Sequence, residues 1–108
     1  MLERPDDKAI QQVADLLGQQ PGVRRVLLFG SRAEGRAGED SDVDLLVICQ
    51  GHPHKMETTL HLRSLLPSRR FGIDLFVMGE DEFERTKHVI GGLAYPANKT
   101  GKVLYEHA

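Results

Sequence analysis

The sequence predicts an α/β domain, α+β in the order of its elements, built on a small mixed β-sheet of three to four strands with helices packed on it. Three observations carry this. Apolar runs of strand length at 23–29, 42–49 and 71–78 are each bounded by Gly, Pro or Ser. Stretches with helical spacing of apolar residues lie before the first run and between the second and third. The connections differ in length: about twelve residues join the first run to the second, whereas a full helix joins the second to the third. A strand, helix and strand in succession imply a right-handed parallel crossover, so the third strand is expected parallel to the second.

In order along the chain, Asp6 or Asp7 can cap a first helix in which Ile10, Val13, Ala14, Leu16 and Leu17 repeat at helical spacing until Gly18. Pro21-Gly22 marks a turn, and the aliphatic run Val23 to Phe29 is the first strand, ended by Gly30. Residues 31–37 are expected to form a turn or two of helix with Ser31 as its N-cap. The second strand, 42–49, is apolar on both alternating faces after Asp44, the pattern of a strand covered on both sides in the middle of a sheet. A helix over 55–66 should turn Met56, Leu60, Leu62, Leu65 and Leu66 inward until Pro67-Ser68 stops it. The third strand is 71–78, followed by a short helix opened by the acidic Glu80-Asp81-Glu82. Pro96 interrupts a tail of undetermined structure, and 102–105 reads as a last strand.

Size and composition narrow the function. A chain of 108 residues fits one domain, here 1–108, able to bury roughly 65% of its unfolded surface. The formal charge of −2 argues against wrapping nucleic acid by bulk electrostatics, so any nucleotide contact must be local. Cys49, the only cysteine, lies in an apolar run with nothing cationic beside it, and reads as a small hydrophobe. The first residues do not resemble a signal peptide, and no run approaches the ~20 apolar residues of a membrane span, so the expected compartment is the cytoplasm.

Three carboxylates sit in strand-like segments, where burial is costly unless a positive partner joins them. Asp42 and Asp44, two apart on a strand, share a face. Asp74 stands in the matching run, and the parallel crossover brings all three to the starting ends of adjacent strands. If the first strand is antiparallel to the second, Gly30-Ser31 arrives beside them. Carboxylate pairs favour a hard cation such as Mg²⁺, and with Asp74 as a third ligand they suit two-metal phosphoryl or nucleotidyl transfer. Gly30-Ser31 adds backbone N–H groups and a hydroxyl for phosphate. Two other motifs fail. Gly30 and Gly35 have a P-loop's glycine spacing, but Arg36-Ala37 stands where Lys and Ser/Thr are required. Asp40, Asp42 and Asp44 begin like a calcium-binding loop, but Leu45 replaces its glycine and Gly51 its glutamate. His52, His54 and His61 lack a suitably spaced further ligand and read as surface residues.

Gly30-Ser31-Arg32-Ala33-Glu34-Gly35, Ser41-Asp42-Val43-Asp44-Leu45-Leu46-Val47 and Ile73-Asp74-Leu75 together resemble the signature of the DNA polymerase β-like nucleotidyltransferase superfamily, and the length resembles its minimal, or MNT, subgroup. The resemblance implies the nucleotidyltransferase fold, two Mg²⁺ ions, ATP or another nucleoside triphosphate as donor, and transfer of a nucleoside monophosphate to a hydroxyl. It implies that Asp42 and Asp44 bind metal, that Asp74 binds metal and helps deprotonate the acceptor, and that Gly30-Ser31 holds the triphosphate. Arg32 either reaches a phosphate or is a solvated residue. Arg69-Arg70 are further candidates for an acidic partner or a phosphate. Small members of this subgroup resemble the antitoxin of a toxin–antitoxin pair with a HEPN-domain protein, in some cases adenylylating that partner. Two alternatives remain at this point: a non-catalytic antitoxin that neutralises the HEPN partner by complex formation, and a transferase for a small hydroxylated compound whose pocket a homo-oligomer would complete.

Overall fold

Val43, Leu45, Leu46, Val47 and Ile48 are all buried from solvent, so the strand they form must be covered on both faces and flanked on both edges. The computed structural model describes residues 7–35, 42–66 and 71–107. In chain order these form α1 (Asp7–Gly18), β1 (Val23–Phe29), β2 (Val43–Cys49), α2 (Lys55–Leu65), β3 (Ile73–Gly79), α3 (Glu80–Thr86), α4 (Ala94–Thr100) and β4 (Lys102–Glu106). The sheet order is β3-β2-β1-β4. As the connections predict, β2 and β3 are parallel, and β1 is antiparallel to β2. The last strand pairs antiparallel with β1.

Period-two alternation sends the strand residues into two cores. On one face Val26, Leu28, Leu45, Val47, Leu75 and Val77 pack against Ile10, Val13, Ala14 and Leu17 of α1 and Leu62 of α2. On the other, Leu27, Phe29, Leu46, Ile48 and Met78 pack against Phe83 of α3 and Ala94 and Ala97 of α4. Arg25 lies over the Phe83 ring, its guanidinium carbon 4.9 Å from the centroid. Cys49 is buried, and that burial pushes its thiol pKa up, which leaves it a packing residue.

Three expectations change. Residues 31–35 make a single turn rather than a helix, closed by the Glu34 N–H donating to the Gly30 carbonyl at 3.1 Å. Gly35 then takes φ +75, a left-handed conformation that cannot propagate a right-handed helix; 36–37 fall outside the described residues. In α2, Met56 and Leu60 are 78% and 63% exposed. The covered face is instead that of Leu62, with Leu65 and Leu66 partly buried beside it, because Leu60 and Leu62 lie about 200° apart around a helix. Leu62→Ala is therefore expected to cost about 3 kcal/mol in denaturant unfolding and Leu60→Ala under about 0.5. In the tail, Pro96 sits in the first turn of α4, where its missing N–H removes no helical hydrogen bond.

Among the described residues, no helix is long and apolar enough to cross a membrane.

Candidate active site

The parallel register sets Asp44 of β2 directly beside Asp74 of β3, and Gly72 follows the same alignment beside Asp42. The antiparallel register sets Phe29, the last residue of β1, opposite Asp44. The carboxylates and the Gly30 turn therefore meet at one end of the sheet, on the face that carries α3 and α4 further along.

Two glycines make room for two carboxylates. Gly30 has φ +78, and a Cβ there would overlap Asp44 Oδ2. A Cβ on Gly72 would overlap Asp42 Oδ1. Gly30 was legible as a strand terminator, but Gly72 was not singled out; its signal is a side-chain-free position immediately before the strand that bears Asp74. The Val43 N–H donates to the Gly72 carbonyl at 3.0 Å and fixes this junction.

Asp44 is pushed up to about 6 from an ordinary value of 3.8. Partial burial is the first cause, followed by the charge of Asp74, a side-chain hydrogen bond with Asp74, and the charge of Asp42. Two carboxyls share such a bond only when one is protonated, so in the absence of a cation it holds below about pH 6 and gives way to repulsion between the carboxylates above that. A bound cation would replace that proton. The donor set is all oxygen, which suits a hard ion such as Mg²⁺. Among the described residues, no three His, Cys, Asp or Glu side chains are gathered closely enough to hold a metal by themselves. Mg²⁺ commonly takes one or two protein carboxylates and completes its shell with waters and substrate phosphates.

Of the residues that the sequence marked, Asp42, Asp44 and Asp74 lie on one face, with Gly30, Ser31 and Arg32 in the adjoining turn. Arg69 and Arg70 lie outside the described residues. Phe76 was not marked: it is 37% exposed, on the face of Asp74 two residues further along, with its ring 5.7 Å from that of Phe29 and tilted by 58°. Its only signal in the sequence was an aromatic residue on the face of a carboxylate-bearing strand.

A mixed sheet that presents paired carboxylates beside a glycine turn defines a nucleotidyltransferase class of protein. Residues 11–108 match the family described as polymerase beta, nucleotidyltransferase, and the chain belongs to that family. Solved structures share the fold. A Sulfolobus solfataricus protein described as a nucleotidyltransferase aligns over 93% of this chain and 79% of its own at TM-score 0.65 and 19% identity. A toxin–antitoxin structure with AMP-PNP aligns over 90% and 73% at TM-score 0.60 and 22% identity. The toxin–antitoxin pair MntA-HpeT, in a form with two Asp-to-Glu substitutions, aligns over 95% and 75% at TM-score 0.56 and 19% identity. No curated protein matches the sequence.

Proposed function

We propose that this nucleotidyltransferase uses Mg²⁺ and ATP to transfer AMP to a hydroxyl, and that it serves as the antitoxin of a pair whose toxin is a HEPN-domain protein. One observation carries the catalytic part: Asp44 and Asp74 stand side by side in register, next to a glycine turn at the end of β1. The antitoxin part is supported by two neighbours described as toxin–antitoxin structures, one with AMP-PNP.

Asp42 and Asp44 would hold the metal together with Asp74. When bound, Mg²⁺ neutralises phosphate charge and lowers the pKa of an acceptor hydroxyl. Gly30 and Ser31 hold the β- and γ-phosphates through the N–H groups that a first turn leaves without helical partners. Asp74 takes the acceptor's proton. The acceptor oxygen then forms a bond to the α-phosphorus as the bond to the β-phosphate oxygen breaks, and pyrophosphate leaves.

Co-expression with a candidate HEPN-domain toxin, in the presence of α-labelled ATP, tests the proposal. Label is expected on the partner with the wild-type protein and not with Asp42→Asn. Equal labelling by both proteins would sink the catalytic reading. If instead Asp42→Asn still protects cells and the complex survives EDTA, neutralisation by complex formation is the function.

A further inference from the structure

Leu75, Phe76, Val77 and Met78 together line a groove of about 430 Å³. Successive strand residues point to opposite faces, so four in a row can line one groove only along the edge of their strand, and β3 is an edge of the sheet. Lys55 and Thr59 of α2 overhang the groove from one face, and Glu82 and Thr86 of α3, with Leu93, from the other. The Val43 N–H donates to the Gly72 carbonyl, which sets the phase of the ladder. The backbone groups of Asp74, Phe76 and Met78 turn to β2, whereas those of Leu75 and Val77 turn outward into the groove. Among the described residues, no backbone group of another element pairs with them there.

The two edges of the sheet differ. The β4 edge is five residues long, begins with Lys102 and shifts register against β1, features that discourage further pairing. The β3 edge runs seven residues in unbroken register without proline, lysine or bulge. Exposed large apolar residues gather round it. Counting 100° per residue about α2 from the buried Leu62, Thr59, Met56 and Leu60 lie at about 60°, 120° and 160° in one sense, so the exposed Met56 and Leu60 continue the overhanging side. On the other face the exposed Val89 and Ile90 stand in the turn just before Leu93, where the Gly92 N–H donates to the Val89 carbonyl at 3.2 Å. Among the described residues, Val103 on β4 is the one exposed large hydrophobic away from this edge. The charges that overhang the groove are already paired, Lys55 Nζ donating to Glu82 Oε2 at 2.8 Å, so the groove suits apolar rather than charged side chains.

The β3 strand of a second copy does not fit. Antiparallel pairing puts a two-fold axis about 2.4 Å outside β3. Since α2 packs over β3, it would come within about 5 Å of its own copy, against the roughly 8–10 Å that packed helices keep. In parallel pairing, α3 of the copy, also packed on β3, takes that place. A single extended segment without flanking helices meets neither obstacle.

We propose that the free edge of β3 takes a short extended segment of the toxin as a fifth strand. Its backbone pairs with Leu75 and Val77, and its apolar side chains lie against Phe76 and Leu93. The element that bears the segment covers Met56 and Leu60 on one side and Val89 and Ile90 on the other. This rests on the antitoxin reading and specifies the surface that holds the partner.

The test mixes the full-length protein with a candidate HEPN-domain toxin and follows complex formation by calorimetry and amide exchange by NMR. In the complex, exchange at the Leu75 and Val77 N–H groups is expected to slow by at least about tenfold, a signature of strand pairing that apolar contact alone does not give. Leu60→Asp and Ile90→Asp should each weaken the complex by about tenfold or more, and Val103→Asp, at the other edge, should stay within about twofold. Thermal unfolding and AMP-PNP affinity report whether the variants fold, and the exchange measurement needs no substitution. A complex in which both amides exchange as fast as in the free protein, or which Leu60→Asp and Ile90→Asp form as tightly as the wild type, would overturn the inference and leave the antitoxin reading standing. No complex at all would overturn both, so the two failures are distinguishable.

Discussion

Asp44→Asn is expected to lower AMP transfer by about 10³-fold or more, the scale at which a group stabilising transition-state charge is lost, while making the metal-free protein more stable at neutral pH. The second half follows from the raised pKa. Asp44 titrates at about 6 in the folded protein against 3.8 ordinarily. A folded value above the unfolded one stabilises the protein at pH below about 4, and that contribution is lost as pH rises through 6. Above pH 6 the wild type therefore carries a carboxylate that its surroundings disfavour, whereas the asparagine stays neutral and can still donate to Asp74. A displacement of this size corresponds to about 3 kcal/mol in a dry site; Asp44 is only partly buried, so solvent screening reduces the expected gain to about 1 kcal/mol. Urea unfolding in EDTA at pH 4 and pH 7.5 checks it: the two proteins should be alike at the lower pH and separate at the higher one. A variant that loses activity and is also less stable at both pH values would mean that Asp44 is a structural residue.

Gly30→Ala should damage the protein more broadly. The new Cβ meets two obstacles, a φ of +78 and the Asp44 carboxylate. The first costs about 1–2 kcal/mol wherever it occurs; the second pushes Asp44 out of line with Asp74. Expected results are a loss of about 2–3 kcal/mol in stability and at least 10²-fold in transfer, since small misplacements of reacting groups have effects of that order. Gly72→Ala is the control. Its backbone needs no left-handed conformation and its clash is with the exposed Asp42 carboxylate, so stability should change by under about 1 kcal/mol while transfer still falls. Equal destabilisation by both substitutions would show that the strained backbone at Gly30 contributes nothing particular.

The features legible in the sequence were those set by local periodicity. The double-sided apolar run after Asp44 placed β2 inside the sheet, and the helix between β2 and β3 implied the parallel pairing that aligns Asp44 with Asp74. What escaped depends on neighbours distant in sequence. Met56 and Leu60 look as apolar as Leu62, and only the angle at which α2 meets the sheet decides which of them is covered. Gly35 could have continued a helix from 31 onwards; its positive φ is a tertiary choice. Gly72 and Phe76 acquire meaning only once β3 lies beside β2, because what distinguishes them is what occupies the adjoining strand: the Asp42 carboxylate in one case and, across β2, the Phe29 ring in the other.

The most direct test of a MgATP site at these carboxylates is calorimetric titration of AMP-PNP into the purified protein, with Mg²⁺ or EDTA, from pH 5 to pH 8. Protons and Mg²⁺ compete for Asp44, so the Mg²⁺-dependent affinity should rise up to tenfold per pH unit below about 6 and level off above it. Affinity that is equally strong in EDTA, or flat across the whole range, would contradict the account.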